Sequence, residues 1–253
     1  MAKTALVTGA GNRIGRAIAT GLGMAGWNVA VHYYQSKAAA EDLVREVNAL
    51  GSAAIAIRAD LANHKQLSDM FPAINKSLGK VHCLINNAAI FERDDLASLD
   101  NASWESHISV NLTAPLFLTQ ALARDFGSEE NGNVINIVDQ RVWNLTPHFV
   151  SYTLSKAGLW TMTQTLAMAL APRIRVNAIG PGPTLPSKRQ SATNFERQWK
   201  AVPLERSTSV EDIAKAVMYI LGSRSMTGQM IALDGGQHLS WATRREEEGS
   251  VCE

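Results

Sequence analysis

Short runs of β-branched and other apolar residues alternate with longer stretches of helical periodicity from the first residues of the chain almost to the last. That alternation is the signature of parallel strands joined by crossover helices, and it leaves few alternatives to an α/β sheet covered on both faces. Strands are predicted near 3–8, 28–33, 53–58, 81–85, 132–138, 173–179 and 229–233. Helices are predicted near 13–25, 37–50, 64–78, 101–126, 150–170, 188–200 and 210–222. With right-handed crossovers the outcome is one doubly wound parallel sheet of the Rossmann-like kind, whose ligands lie beyond the carboxyl ends of its strands.

At 253 residues the chain suits one large domain, with no room for a separate substrate module. Residues 1–239 are assigned to that domain, with a lid over about 181–205 that contains Pro181, Gly182, Pro183 and Pro186. Residues 240–253, with Arg244, Arg245 and Glu246–Glu248, read as a polar tail. A net charge of +1 argues against nucleic acid or a membrane surface as partner, and the apolar stretches are too short to span a bilayer. Two cysteines, Cys83 and Cys252, and a strand pattern that begins at once favour the cytoplasm. The histidines fall at no metal-binding spacing, so no metal is expected.

The first strand runs into Thr8-Gly9-Ala10-Gly11-Asn12-Arg13-Ile14-Gly15 and then a helix, a turn that offers free N–H groups and a positive dipole end to a phosphate. Gly9, Arg13 and Ile14 are the candidate cofactor residues here. A carboxylate that would select NAD is missing at the end of the second strand, where Tyr34, Gln35, Ser36 and Lys37 stand instead; with Arg13 they favour NADP(H). Asp60, followed by Leu61, is placed either to bond an adenine or to cap the next helix. Asn87, Ala88 and Ala89 give a ribose close approach to the fourth strand.

Tyr152 and Lys156 lie at i and i+4 on one helix face, where a nearby ammonium would lower the phenol pKa and make Tyr152 a general acid. The ordered set TGAGNRIG, NNAA, VNLTAP, YTLSK, RVNAIGPGP and LDGG resembles the short-chain dehydrogenase/reductase family over nearly the whole chain. The resemblance implies that Asn111, Tyr152 and Lys156 are catalytic, with Asn111 ordering a proton-relay water. It also implies that Lys156 holds the nicotinamide ribose, that Pro181, Gly182 and Thr184 line the nicotinamide, and that the protein is a homotetramer built on the helices near 101–126 and 150–170.

Two residues depart from the common pattern: Arg13 in the turn, and Asp139 where the family has a serine thirteen residues before the tyrosine. A serine donates a neutral hydrogen bond; a carboxylate accepts hydrogen bonds from N–H groups or, once protonated, passes a proton on. Both departures, together with Phe91 after the Asn-Asn motif, are similar to the pteridine-reductase branch, which implies a small flat heterocycle between Phe91 and nicotinamide with Asp139 and Tyr152 at its edge. Phe91 could equally be a core or lid aromatic. The resulting expectation is an NADPH-dependent reductase of a pterin or related C=N substrate. The alternatives are a general carbonyl reductase of the 3-oxoacyl type and, from another class, a non-catalytic NADP sensor, which would need none of Asn111, Tyr152 and Lys156.

Overall fold

A computed structural model describes residues 2–127, 130–187 and 189–239. The expected polar tail lies outside the described residues. Seven strands, β1 (Thr4–Val7), β2 (Asn28–Tyr33), β3 (Ala54–Arg58), β4 (Val81–Asn86), β5 (Gly132–Ile137), β6 (Ile174–Pro181) and β7 (Met230–Leu233), form one sheet in the order β3-β2-β1-β4-β5-β6-β7. Every pairing is parallel. The chain leaves β1 toward β2 and β3, then returns to β4 on the other side, which opens a crevice at the carboxyl ends of β1 and β4.

Alternate strand residues feed two cores, as period-two side-chain direction requires. Val7, Val31 and Ile85 pack with Leu22 of α1 (Arg13–Met24), Leu43 of α2 (Lys37–Ala49) and Val217 of α8 (Val210–Gly222). Leu6, Leu84 and Val134 face the other way, onto Phe71 of α3 (His64–Leu78), Leu118 of α5 (Ala114–Asp125) and Ala167 of α6 (Val150–Leu170). Burial on both faces is what lets these strands read as near-continuous apolar runs.

The single helix expected over 101–126 is three pieces: α4 (Asn101–Ile108), a π-helical turn (Ser109–Thr113) and α5. The apolar period continues through the break, but Asn111 is drawn aside by hydrogen bonds to the loop after β4, and Pro115 cannot donate in the first turn of α5. β6 continues to Pro181 because its ladder with β7 runs on to the Pro181–Leu233 pair. The helix expected from about 188 is α7 (Ala192–Lys200), which starts where Ser191 caps it. Among the described residues no helix is long and apolar enough to cross a membrane.

Candidate active site

At the end of β1 the backbone turns back on itself tightly. Thr8 Oγ1 accepts from the N–H groups of Asn87 (2.9 Å) and Ala88 (3.0 Å), and a Cβ on Gly15 would stand 2.5 Å from the carbonyl oxygen of Gly9. Gly9 takes a φ of 62° and donates its N–H to His32 Nδ1 at 3.0 Å. The other ring nitrogen, Nε2, therefore carries the proton and donates to Ala59 O at 3.1 Å. Burial pushes the His32 pKa down to about 4, so this strut between the turn and β3 is neutral.

The helices that follow β1 and β2 begin without a side-chain cap. Neither Asn12 before α1 nor Ser36 before α2 makes a capping bond, and no acid sits in either first turn. By contrast α3, α4, α7 and α8 are capped by Asn63, Asp100, Ser191 and Ser209. Two open N-termini beside a glycine turn are suited to phosphate groups. Tyr34 is half exposed at the same edge.

The two cations expected to favour NADP(H), Arg13 and Lys37, are not gathered into one cluster. Arg13, whose φ is 54°, sends its guanidinium to the carbonyl oxygens of Leu185 (3.0 Å) and Pro186 (2.9 Å). Lys37 pairs with Glu41 at 3.6 Å. Nor does Asp60 cap α3: its Oδ1 accepts from Ala62 N at 2.9 Å, and Asn63 does the capping. Leu61 is buried in the core beside Leu67 and Phe71.

At the other end of the crevice, the Tyr152 hydroxyl donates to Asp139 Oδ2 at 2.9 Å, while Asp139 Oδ1 accepts from Arg141 N at 2.8 Å. Lys156 Nζ donates to Ile137 O at 2.7 Å and sits 5.8 Å from the centre of the Tyr152 ring. The expected lowering of the phenol pKa is reversed in this arrangement. Burial first, then the Asp139 carboxylate that accepts the phenolic proton, hold Tyr152 well above its ordinary value, and Arg141 only partly offsets them. Burial lowers Lys156 to about 8.

Asn111 is fully buried and committed: its Oδ1 accepts from Ile90 N (2.8 Å) and its Nδ2 donates to Ile90 O (2.9 Å) and Ser155 Oγ (3.0 Å). The amide brackets the loop after β4 against α6. The same loop is fastened twice more. Glu92 N donates to His107 Nε2, and Asp94 accepts from Ser151 N (3.2 Å), in the first turn of α6, and from Ser103 Oγ (3.1 Å). Burial pushes the Asp94 carboxyl up, but the hydrogen bonds from Ser151 and Ser103 outweigh it and hold the pKa below the usual value.

Phe91 packs against neighbouring aromatics and borders the cavity at once. One ring face stacks on buried Phe149, 4.6 Å between centroids, and the ring lies edge-on to Tyr152 at 4.7 Å while also lining the cavity. From the lid, Arg189 pairs with Glu92, donates to Phe91 O at 2.9 Å, and places its guanidinium 5.4 Å from the Phe91 ring centre.

A cavity of about 270 Å³ unites these groups. Its walls include Arg13, Ile14, Asn87 and Ala89 from the turn side, and Phe91, Asp139, Tyr152 and Lys156 from the other. Pro181, Gly182 and Thr184 close it; a Cβ on Gly182 would lie 2.6 Å from Asp234 Cα, so only glycine permits this approach. Tyr34, Gln35, Ser36, Asp60, Leu61 and Asn111 are not part of its lining. Sequence reasoning singled out neither Asp94, Gln140 nor Arg189, and did not foresee His32 as a strut. Gln140 could have been found from its place at the carboxyl end of β5. Among the described residues no cluster of His, Cys, Asp and Glu could hold a metal.

The profile of a family described as enoyl-(acyl carrier protein) reductase matches residues 9–238. The 3-oxoacyl-[acyl-carrier-protein] reductase FabG of Staphylococcus epidermidis is 32% identical over 244 residues, covering 94% of this chain and 100% of that protein. Among solved structures, the FolM alternative dihydrofolate reductase 1 of Brucella canis, complexed with NADP, is 44% identical with a TM-score of 0.93, covering 97% of each chain. A blue fluorescent protein from a metagenomic library, in complex with NADPH, is 32% identical with a TM-score of 0.86 over 92% of this chain and 97% of its own.

Proposed function

Since the chain belongs to the short-chain dehydrogenase/reductase family of oxidoreductases, we propose that it reduces the C=N bond of a pterin or a related heterocycle with NADPH. The observation that carries this reading is the Tyr152–Asp139 hydrogen bond at the cavity wall beside Phe91. A carboxylate next to the proton donor repels the oxyanion that forms when a ketone is reduced, yet it matches a ring that presents N–H groups. The likeness to the two Brucella FolM structures, each with NADP, supports the same reading.

NADPH, when bound, supplies the hydride for the carbon of the C=N bond. Tyr152 passes its phenolic proton to the nitrogen, so the double bond becomes a C–N single bond and one proton and one hydride are consumed. A phenol held neutral by burial keeps that proton until the nitrogen gains basicity. Lys156, buried beneath the ring, offsets the tyrosinate left behind. Phe91 offers the ring a flat apolar wall, and Asp139 accepts from its edge.

For the cofactor, Gly9, Ile14 and the open start of α1 suit the pyrophosphate, with Arg13 beside it. Tyr34, Gln35, Ser36 and the open start of α2 suit the 2′-phosphate. Asp60 and Leu61 would border the adenine; Asn87, Ala88, Ala89 and Lys156 would hold the nicotinamide ribose, and Pro181, Gly182 and Thr184 the nicotinamide. The exposed Leu116 and Phe117 of α5 and Leu154 and Met168 of α6 support assembly into a homotetramer through these helices. The FabG relatives and the family profile favour a second reading, reduction of a 3-oxoacyl or similar carbonyl group.

NADPH consumption over a panel of dihydropterins, 3-oxoacyl thioesters and simple ketones separates the two. Preferred turnover of dihydropterins, lost in Tyr152→Phe with NADPH affinity intact, is the expected result. Good turnover of thioesters with none of dihydropterins overturns the proposal.

A further inference from the structure

The lid is fastened to two parts of the site that do different work. Arg13, in the phosphate turn, donates through Nη1 to Pro186 O and through Nη2 to Leu185 O. Arg189, on the lid, pairs with Glu92, donates through Nη2 to Phe91 O at 2.9 Å and lies 5.4 Å from the centre of the Phe91 ring, which lines the cavity. Pro186 and Arg189 are three residues apart, a stretch that can span no more than about 11 Å. The turn that joins them is closed by a bond from Gln190 N to Ser187 O at 3.1 Å, and Gln190 Nε2 donates to Gln198 Oε1 of α7 at 2.9 Å. The two fastenings are therefore kept close together.

Arg13 uses two of its five N–H donors on the lid. It is the first residue of α1, where the positive dipole end disfavours a cation, and among the described residues no carboxylate pairs with it. A phosphate seated at that helix start supplies the missing charge, and the guanidinium fork can bridge it to the lid carbonyls. A side chain already held by a phosphate loses less freedom in holding the lid, so the two grips strengthen each other.

We propose that Arg13 and Arg189 are positioning residues that make the lid a link between the phosphate turn and the wall of the substrate pocket. The phosphates of NADP(H) on Arg13 steady the lid, and the lid, through Arg189, steadies Phe91 and Glu92. The substrate ring then binds more tightly than contact with the nicotinamide alone provides. The link rests on the heterocycle reading for what that wall receives. A second route joins the same two regions, from Thr8 Oγ1 to Asn87 N and Ala88 N, and the experiment separates it from the lid.

The probe is 2′-phospho-ADP-ribose, which carries the phosphates of NADP⁺ but lacks the nicotinamide and so cannot stack on the substrate ring. In the wild type it should tighten binding of an oxidised pterin by about fivefold or more, and the pterin should tighten the probe by the same factor. Arg189→Met, which leaves the phosphate turn intact, should bind the probe alone as the wild type does yet bring that factor close to one. Glu92→Gln, at an exposed carboxylate, should lower it in the same direction. A probe that leaves pterin affinity unchanged in the wild type overturns the link. So does a full factor in Arg189→Met, whether pterin affinity falls equally with and without the probe, the signature of a merely structural role, or stays as it was, which puts the coupling on the Thr8 route. Should Arg189→Met fail to fold, an undiminished factor in Glu92→Gln overturns the link instead. If the wild type binds no pterin even with NADP⁺, the function proposed above falls, and hydrogen exchange decides the link: the probe should slow exchange over residues 89–95 in the wild type and not in Arg189→Met, and unchanged exchange in the wild type overturns it.

Discussion

Two helices begin at the carboxyl edge of the sheet, and their first turns are finished in opposite ways. α1 leaves its backbone N–H groups without a side-chain partner or a first-turn acid. α6 makes no cap of its own either, but Asp94, from a loop 57 residues away, accepts from Ser151 N through its carboxylate and from Phe149 N through its carbonyl oxygen. A helix start is an anion site by default. The open one is kept for a ligand; the closed one is filled by the protein itself, which fixes the first turn of the helix that carries Tyr152. One physical property thus serves binding in the first place and alignment in the second.

The sharpest way to break the comparison is acid. The turn before α1 hangs on neutral His32, whose pKa of about 4 lies below the unfolded value of 6.5. Between those values the unfolded chain takes up a proton that the folded chain refuses, so stability is complete above pH 6.5 and is lost as pH falls toward 4. The loss should reach about 3 kcal/mol. Denaturant unfolding at pH 7 and 4.5 measures it, and a variant His32→Gln that keeps the wild-type acid sensitivity would count against the strut.

At the closed end, Asp94→Ala leaves buried N–H and hydroxyl donors unmatched. It should cost about 2 kcal/mol in denaturant unfolding and lower kcat while leaving NADPH affinity as it was. An unaltered kcat in a folded variant would mean that α6 needs no outside anchor. The smallest effect is expected at the open start of α2. Ser36→Asp supplies the acid that this terminus lacks and should weaken NADPH about tenfold relative to NADH, through repulsion of the 2′-phosphate. Equal affinity losses for both cofactors would show that this terminus is open for another reason.

Periodicity made the sheet legible: strands buried on both faces and amphipathic helices are written residue by residue. Long-range hydrogen bonds are not written that way. The Asn111 bracket that opens a π turn, the Asp94 anchor and the reach of Arg13 to the lid each join residues with no local pattern between them. Tyr152 and Lys156 were found from their spacing, but the pKa of the tyrosine was set by a competition that spacing does not encode. Burial and the Asp139 carboxylate outweigh nearby positive charge.

The two arginines that hold the lid both grip main-chain oxygens: Arg13 takes those of Leu185 and Pro186, and Arg189, itself on the lid, takes that of Phe91. Any amino acid supplies a carbonyl. Leu185 and Phe195, which line the cavity from the lid, can therefore diverge without loosening these two grips. Evolution, or an engineer, can rewrite what the pocket accepts while the closure mechanism is inherited intact.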